Sequence, residues 1–256
     1  MKKYSRFNQR VLGCILSCAL IGIMPPRIAS ASKQVILATT EYPPYYGELL
    51  PNQGVITEII REAFKHAGYE VKIKFLPWKR ALEMTRQGEF NALFTAWYRK
   101  EREQWFGFSD PLPIVNEIGF YKRKDRKVSY RTIEDLQAYK IGIVRGYSNP
   151  AEFDRAKLDT EEVTEDRLNI QKLAVGRIDL ALIDKIIGQH IIDTELPESA
   201  QKLEWLNPPL KIDNQYLMFS KKFDDYQEKI ADFNRGLRQI IEAGIVKAII
   251  VKHGFH

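Results

Sequence analysis

From residue 35 onward, short apolar runs bounded by turn residues alternate with segments whose apolar positions recur at helical spacing. That alternation restricts the chain to an α/β architecture. Residues 35–39 (VILAT) predict a buried strand, and 41–51 a loop rich in Pro and Tyr. In 55–67, Ile56, Ile59, Ile60, Ala63 and Phe64 recur at the helical period and Gly68 ends the run. Residues 71–75 alternate as a strand, 78–87 form a helix closed by Gly88, and 90–95 form another buried strand. A second unit follows, with strands expected at 117–121, 140–144 and 180–183 and a helix at 167–175. The stretch Thr132-Ile133-Glu134-Asp135-Leu136 opens a helix in a capping-box arrangement. Residues 210–219 return as extended chain, and 226–253 carry a long helical pattern with Gly236 and Gly244 as breaks.

The amino terminus has a different character. Lys2, Lys3, Arg6 and Arg10 precede an almost wholly apolar run over residues 11–24, and small residues follow at Ala29-Ser30-Ala31. This order predicts a secretory signal peptide over residues 1–31, cleaved after Ala31, and hence a periplasmic location. A membrane anchor fits less well, because fourteen residues of helix span only about 21 Å of a hydrocarbon core of about 30 Å. Cys14 and Cys18 lie too early in the apolar run for a lipoprotein signal, and cleavage removes both. What remains is a cysteine-free chain of 225 residues with 34 basic and 33 acidic side chains. Its stability must come from a packed core rather than disulfides. The formal charge of +6 on the whole chain therefore belongs largely to the leader and is not a nucleic-acid footprint.

Several chemistries lack their residues. Without cysteine there is no thiol nucleophile, and His66, His190, His253 and His256 have no metal-ligand spacing. No Gly-x-Ser-x-Gly elbow, phosphate loop or dinucleotide fingerprint occurs, so no cofactor is expected. Glu161-Glu162 and Asp224-Asp225 read as solvated acidic pairs in loops or helix starts.

One phrase occurs twice: a helix, then Gly-x-apolar-Asp/Asn and an apolar run. It appears at Gly88-Glu89-Phe90-Asn91 and at Gly176-Arg177-Ile178-Asp179. Each sets a strand end beside a cleft, where open α/β sheets bind ligands. Taken with Glu41-Tyr42-Pro43-Pro44-Tyr45, the segment Gly54-Val55-Ile56-Thr57-Glu58-Ile59, Arg102 ahead of Phe108-Ser109, Lys140-Ile141-Gly142-Ile143-Val144-Arg145-Gly146 and Asp184, the chain resembles the family-3 extracytoplasmic solute-binding proteins of polar amino-acid ABC transporters. The resemblance covers about residues 34–254, and Pro77-Trp78-Lys79-Arg80-Ala81 looks like a divergent subgroup of that family.

The resemblance implies a type II periplasmic-binding fold, two α/β lobes joined by two hinge strands. Lobe 1 would comprise residues 32–118 and 213–256 and lobe 2 residues 119–212, with hinges near 115–122 and 207–215. It implies a monomer, without enzymatic activity, that captures a small polar solute, an amino acid or related carboxylate, and presents it to the membrane permease of an ABC transporter. The alternatives are a ligand-sensing accessory protein and a dehydratase-like enzyme on the same scaffold.

It also implies a set of ligand-binding residues. Arg102 sits where the family places the arginine that grips a carboxylate, a task suited to the planar fork of a guanidinium. From the charge run Arg99-Lys100-Glu101-Arg102-Glu103 alone, it would read as a solvated face. Asp184 stands where the family receives an α-ammonium, and the plainer reading is an N-cap for the helix that begins at Lys185. Tyr42 matches an aromatic that stacks on the ligand, with Tyr45 and Tyr46 beside it. Ser148 matches a hydroxyl that helps hold the carboxylate, and Thr95 is a candidate of the same kind. The chain departs from the family in Trp97, which replaces a small hydroxyl residue, in Asn91 for the usual Asp, and in Arg145 and Tyr147 around Gly146. Together with Trp78, these predict an unusually aromatic cleft.

Overall fold

The computed structural model describes residues 33–145, 147 and 149–255. The signal peptide expected over residues 1–31, and Ser148, lie outside them. Ser32–His256 forms a single compact unit.

Strand β1 (Lys33–Thr39), helix α1 (Val55–His66), β2 (Tyr69–Phe75), α2 (Trp78–Gln87) and β3 (Ala92–Trp97) build a β-α-β-α-β unit with parallel strands. A short β4 (Phe106–Phe108) leads to β5 (Val115–Arg123). The second half continues with β6 (Ile141–Val144), α3 (Ala151–Ala156), β7 (Thr160–Val163), α4 (Asp166–Ala174), β8 (Leu180–Asp184) and α5 (Lys185–Thr194). The 18-residue β9 (Leu203–Ser220) then returns to the first half, where α6 (Tyr226–Glu242) and α7 (Ile245–Lys252) complete the chain.

The strand order is β2-β1-β3-β9-β5-β8-β6-β7, with β4 also on β9. β9 joins the halves by changing partner along its length. Its first part pairs with β5 from Leu203 to Asn214, and its last part with β3 and β4 from Gln215 to Ser220.

Side-chain alternation on β1 sorts the core into layers. Val35 and Leu37 join the cluster under α1 and α6, while Ala38, one residue over, joins Ala81, Leu93, Phe106 and Met218 under α2. On α1, Val55, Ile56, Ile59, Ile60, Ala63 and Phe64 are all buried, and each large one contributes about 1.5–3 kcal/mol. In the second half, α4 and α5 supply Ile170, Leu173, Ile187 and Ile191 to one face of the sheet. Phe120, Leu136, Phe153 and Leu182 fill the other face.

Three local expectations are corrected. Gly236 does not break the last helical stretch: α6 runs straight through it, because a Cβ there would lie 2.0 Å from the Ala63 carbonyl oxygen on α1. The glycine permits a close helix crossing, and the break falls only at Gly244, which takes a left-handed φ of 72°. The capping box at Thr132 is present, yet it opens only a 3-10 turn (Ile133–Leu136). Glu161-Glu162 lies in strand β7 rather than a loop, and Glu161 is paired with Lys172 at 2.6 Å and Lys140 at 2.9 Å.

Candidate functional site

Strands β1 and β3, parallel to each other, end on Thr39 and Trp97, and β8, parallel to β6, ends on Asp184; the groups with unusual surroundings gather at those ends. Asp184 closes β8 and caps α5. Its Oδ1 accepts from the backbone N–H of Ile186 at 2.9 Å and of Ile187 at 3.1 Å. The same oxygen accepts from the Tyr45 hydroxyl at 2.9 Å, and Oδ2 accepts from Asn116 Nδ2 at 2.9 Å. A helix cap is thereby tied to the β1–α1 loop and to β5. Burial pushes this carboxyl up to about 6 against the pull of its four donors.

A hydrogen-bonded chain runs from there into the first half. Trp97 Nε1 donates to Asn116 Oδ1 at 2.9 Å, and Arg102 Nη1 donates to the Trp97 carbonyl at 2.9 Å. The Arg102 guanidinium lies over the Trp78 ring, 5.7 Å from its centroid. Arg102 is half-buried, and no carboxylate among the described residues pairs with it. Burial lowers its pKa from the ordinary arginine value, but a guanidinium keeps its charge. Arg102 therefore lies against an indole ring and a backbone carbonyl rather than wholly in solvent.

Between these ends lies a wall of tyrosines. The turn at 42–46 is closed by backbone hydrogen bonds between Tyr42 and Tyr46 at 3.0 and 3.2 Å. Tyr42 stacks on Tyr45 with centroids 5.8 Å apart and contacts Tyr46 at 5.6 Å. Thr95 donates to the Tyr46 hydroxyl at 2.7 Å. Burial first, then the charge of Asp184 and later that of Asp166, pushes the Tyr42 hydroxyl well above its ordinary 10.

Asp166 and Asn116 were not among the expected site residues. Asp166 is the first residue of α4 and only 8% exposed. Its Oδ2 accepts from the Tyr147 hydroxyl at 3.1 Å, and its Oδ1 has no hydrogen-bond partner among the described residues. Burial, with a smaller contribution from the neighbouring Asp184 charge, pushes this carboxyl up to about 7. In the sequence, Glu165-Asp166 looks like ordinary acidic decoration of a helix start, and nothing in its spacing marks it. Among the described residues no His, Cys, Asp and Glu cluster could hold a metal ion.

Of the expected residues, the fold brings Arg102, Trp97, Trp78, Thr95, Tyr42 and Asp184 into one connected cluster with Asn116, Tyr45 and Tyr46. Arg102 stands at one end of its hydrogen-bonded chain and the buried Asp184 at the other, with Trp97 and Asn116 between them.

Two α/β halves sharing the long β9, with such a cluster at their strand ends, define the type II periplasmic-binding fold. The chain belongs to the bacterial extracellular solute-binding proteins, family 3, whose family model matches residues 35–256. It is similar to the L-cystine-binding protein TcyJ of Escherichia coli (strain K12), 26% identical over 157 residues, which are 59% of this chain and 58% of that protein. The matched region thus spans less than two thirds of that relative. The fold is also that of the probable amino-acid ABC transporter extracellular-binding protein ytmK from Bacillus subtilis. That comparison has a TM-score of 0.73 at 18% identity and covers 87% of this chain and 97% of that one. A histidine kinase sensor domain with similarity to periplasmic binding proteins superposes with a TM-score of 0.69 at 20% identity, covering 86% and 96% of the two chains. Among the described residues no helix is long and apolar enough to cross a membrane.

Proposed function

We propose that this chain is an exported receptor, cleaved after Ala31, that captures an amino acid or related small polar solute in the periplasm and delivers it to the permease of an ABC transporter. Residues 32–118 with 213–256, and residues 119–212, act as two lobes that close on the solute through β5 and β9. Contacts completed only on closure drive the motion. Arg102 grips the carboxylate of the solute, Ser148 and Thr95 supply hydroxyls, and Tyr42, Trp78 and Trp97 shape the wall. The negative side of the second lobe, built around Asp184, faces the ammonium end.

The observation that carries this reading is the chain of hydrogen bonds from Arg102 through Trp97 and Asn116 to Asp184, which sets a cation and a buried carboxylate at the two ends of one aromatic cleft. The similarity to TcyJ and ytmK supports the amino-acid class and the transporter partner. The protein acts as a monomer and releases its solute unchanged.

Calorimetric titration of the purified protein with amino acids, amines and small carboxylates tests the reading. We expect micromolar or tighter binding of at least one carboxylate-bearing solute and no product from it. Substituting Arg102→Ala weakens that binding about ten- to a hundred-fold, the range for a lost charge-assisted pair. Turnover of the bound compound, or an Arg102→Ala protein that binds as well as wild type, would sink it. The likeness to a histidine kinase sensor domain favours one second reading, a sensor that docks to a membrane partner, and loss of uptake on gene deletion separates transport from sensing.

A further inference from the structure

The two buried carboxylates are not equivalent, and the difference lies in their hydrogen bonds. A carboxylate offers about four acceptor sites. On Asp184 four donors are already in place, Tyr45, Ile186 and Ile187 crowded on Oδ1 and Asn116 on Oδ2, which leaves one acceptor site, on Oδ2. A ligand ammonium reaching Asp184 would share that oxygen with Asn116. Asp166 is the reverse case. Its Oδ2 accepts from Tyr147, while Oδ1 is buried without a hydrogen-bond partner among the described residues. An orphaned carboxylate oxygen is among the most unfavourable groups to bury, and a fold retains one where a partner from outside satisfies it.

No protein cation fills that place among the described residues. The basic groups on and beside α4 are engaged elsewhere: Arg167 with Glu195 at 3.1 Å, Lys172 with Glu161 at 2.6 Å, and Lys185 at the start of α5 with Glu117 at 3.1 Å. The titratable groups that act on Asp166 or are acted on by it are Tyr147 beyond β6, Glu165 before α4, Asp184 at the end of β8 and Tyr42 in the β1–α1 loop. All are acids or phenols. Rings and carboxylates of this kind surround a cation favourably and repel a second anion.

We propose that Asp166, oriented by Tyr147, is the carboxylate that directly receives a cationic group of the bound solute. With two acids facing one Arg102, the cleft selects solutes that carry an ammonium or guanidinium in excess of any carboxylate: basic amino acids and diamines ahead of neutral or acidic ones. The assignment rests on the solute-capture reading above and names its ligand class and its receiving oxygen.

Matched charged and neutral probes test it. L-arginine and its neutral isostere L-citrulline, L-lysine and L-norleucine, and putrescine and 1-butanol are titrated calorimetrically into wild type, Asp166→Asn, Tyr147→Phe and Asp184→Asn at about pH 7. The wild type prefers the charged member of at least one pair, and Asp166→Asn removes that preference by lowering affinity for the charged probe about ten- to a hundred-fold while leaving the neutral one within about threefold. Tyr147→Phe shifts the preference in the same direction by less, and Asp184→Asn reduces it less than Asp166→Asn does. Repeating the titrations in buffers of different ionisation enthalpy reads proton release: binding a cation expels up to about one proton from the wild type and none from Asp166→Asn. A preference untouched by Asp166→Asn, or removed only by Asp184→Asn, overturns the assignment while solute capture stands. Equal binding within every pair overturns the ligand class. A wild type that binds no compound in these or the wider amino-acid panel overturns solute capture and the assignment with it.

Discussion

Replacing Asp166 by Asn removes a buried charge and keeps the side chain's shape, so its effect on ligand-free stability can be worked from the structure. Burial holds the Asp166 carboxyl at about 7, against an ordinary value of 3.8. Its affinity for a proton is therefore higher folded than unfolded. Its contribution to stability is fully present below the unfolded value and is lost as pH rises through the folded one. Each tenfold change in proton affinity is about 1.4 kcal/mol, so the wild type loses about 4 kcal/mol of stability between roughly pH 4 and pH 8 that the Asn variant keeps. Asp184, pushed up to about 6, remains in both proteins, and since its charge is only a smaller cause of the Asp166 shift, burial of Asp166 dominates the difference. For a chain of this size 1 kcal/mol moves Tm by about 2–4 °C, so the Tm gap between variant and wild type widens on the order of 10 °C in favour of the variant over that range. Thermal melts by circular dichroism at half-unit pH steps, backed by urea titrations at the two ends, measure it. A gap that stays constant with pH would refute the argument, because it would mean that Asp166 ionises as easily in the fold as in water.

Further outcomes follow from single contacts. Tyr45→Phe deletes the hydroxyl that donates to Asp184 Oδ1 at 2.9 Å and lowers stability by about 1–3 kcal/mol. That loss is larger at about pH 8 than at about pH 5, since the bond favours the ionised carboxylate, and urea unfolding at both values reads the difference. Gly236→Ala drives a methyl into the Ala63 carbonyl and destabilises by about 1–3 kcal/mol or more through separation of α1 and α6. Gly244→Ala has open space around it and suffers only the left-handed backbone, about 1 kcal/mol, so the two glycines should rank clearly in a denaturant series.

What the sequence determined by itself is local. The period-2 and period-3.6 patterns located most strands and helices, because the register of an apolar face is set by residues within one or two turns of each other. Asp184 was legible as a cap from the apolar strand before it and Lys185-Ile186-Ile187 after it. Gly244 was legible as a helix end. The family resemblance singled out Arg102 and Tyr42 as candidates, where periodicity alone would have left them in a charge run and a loop. Tertiary structure decided the rest. Gly236 reads as a breaker along the chain and becomes a contact point only when α6 crosses α1. Asp184 meets Asn116 across 68 residues and Tyr45 across 139, distances over which no local pattern carries information. Asp166 is the clearest case. At the start of α4 it is an unremarkable acid that would be stabilised by the helix dipole in water. Only the folding of Tyr147 over it, and of the β1–α1 loop near it, strips that water away and turns an ordinary carboxylate into one with an oxygen unpaired.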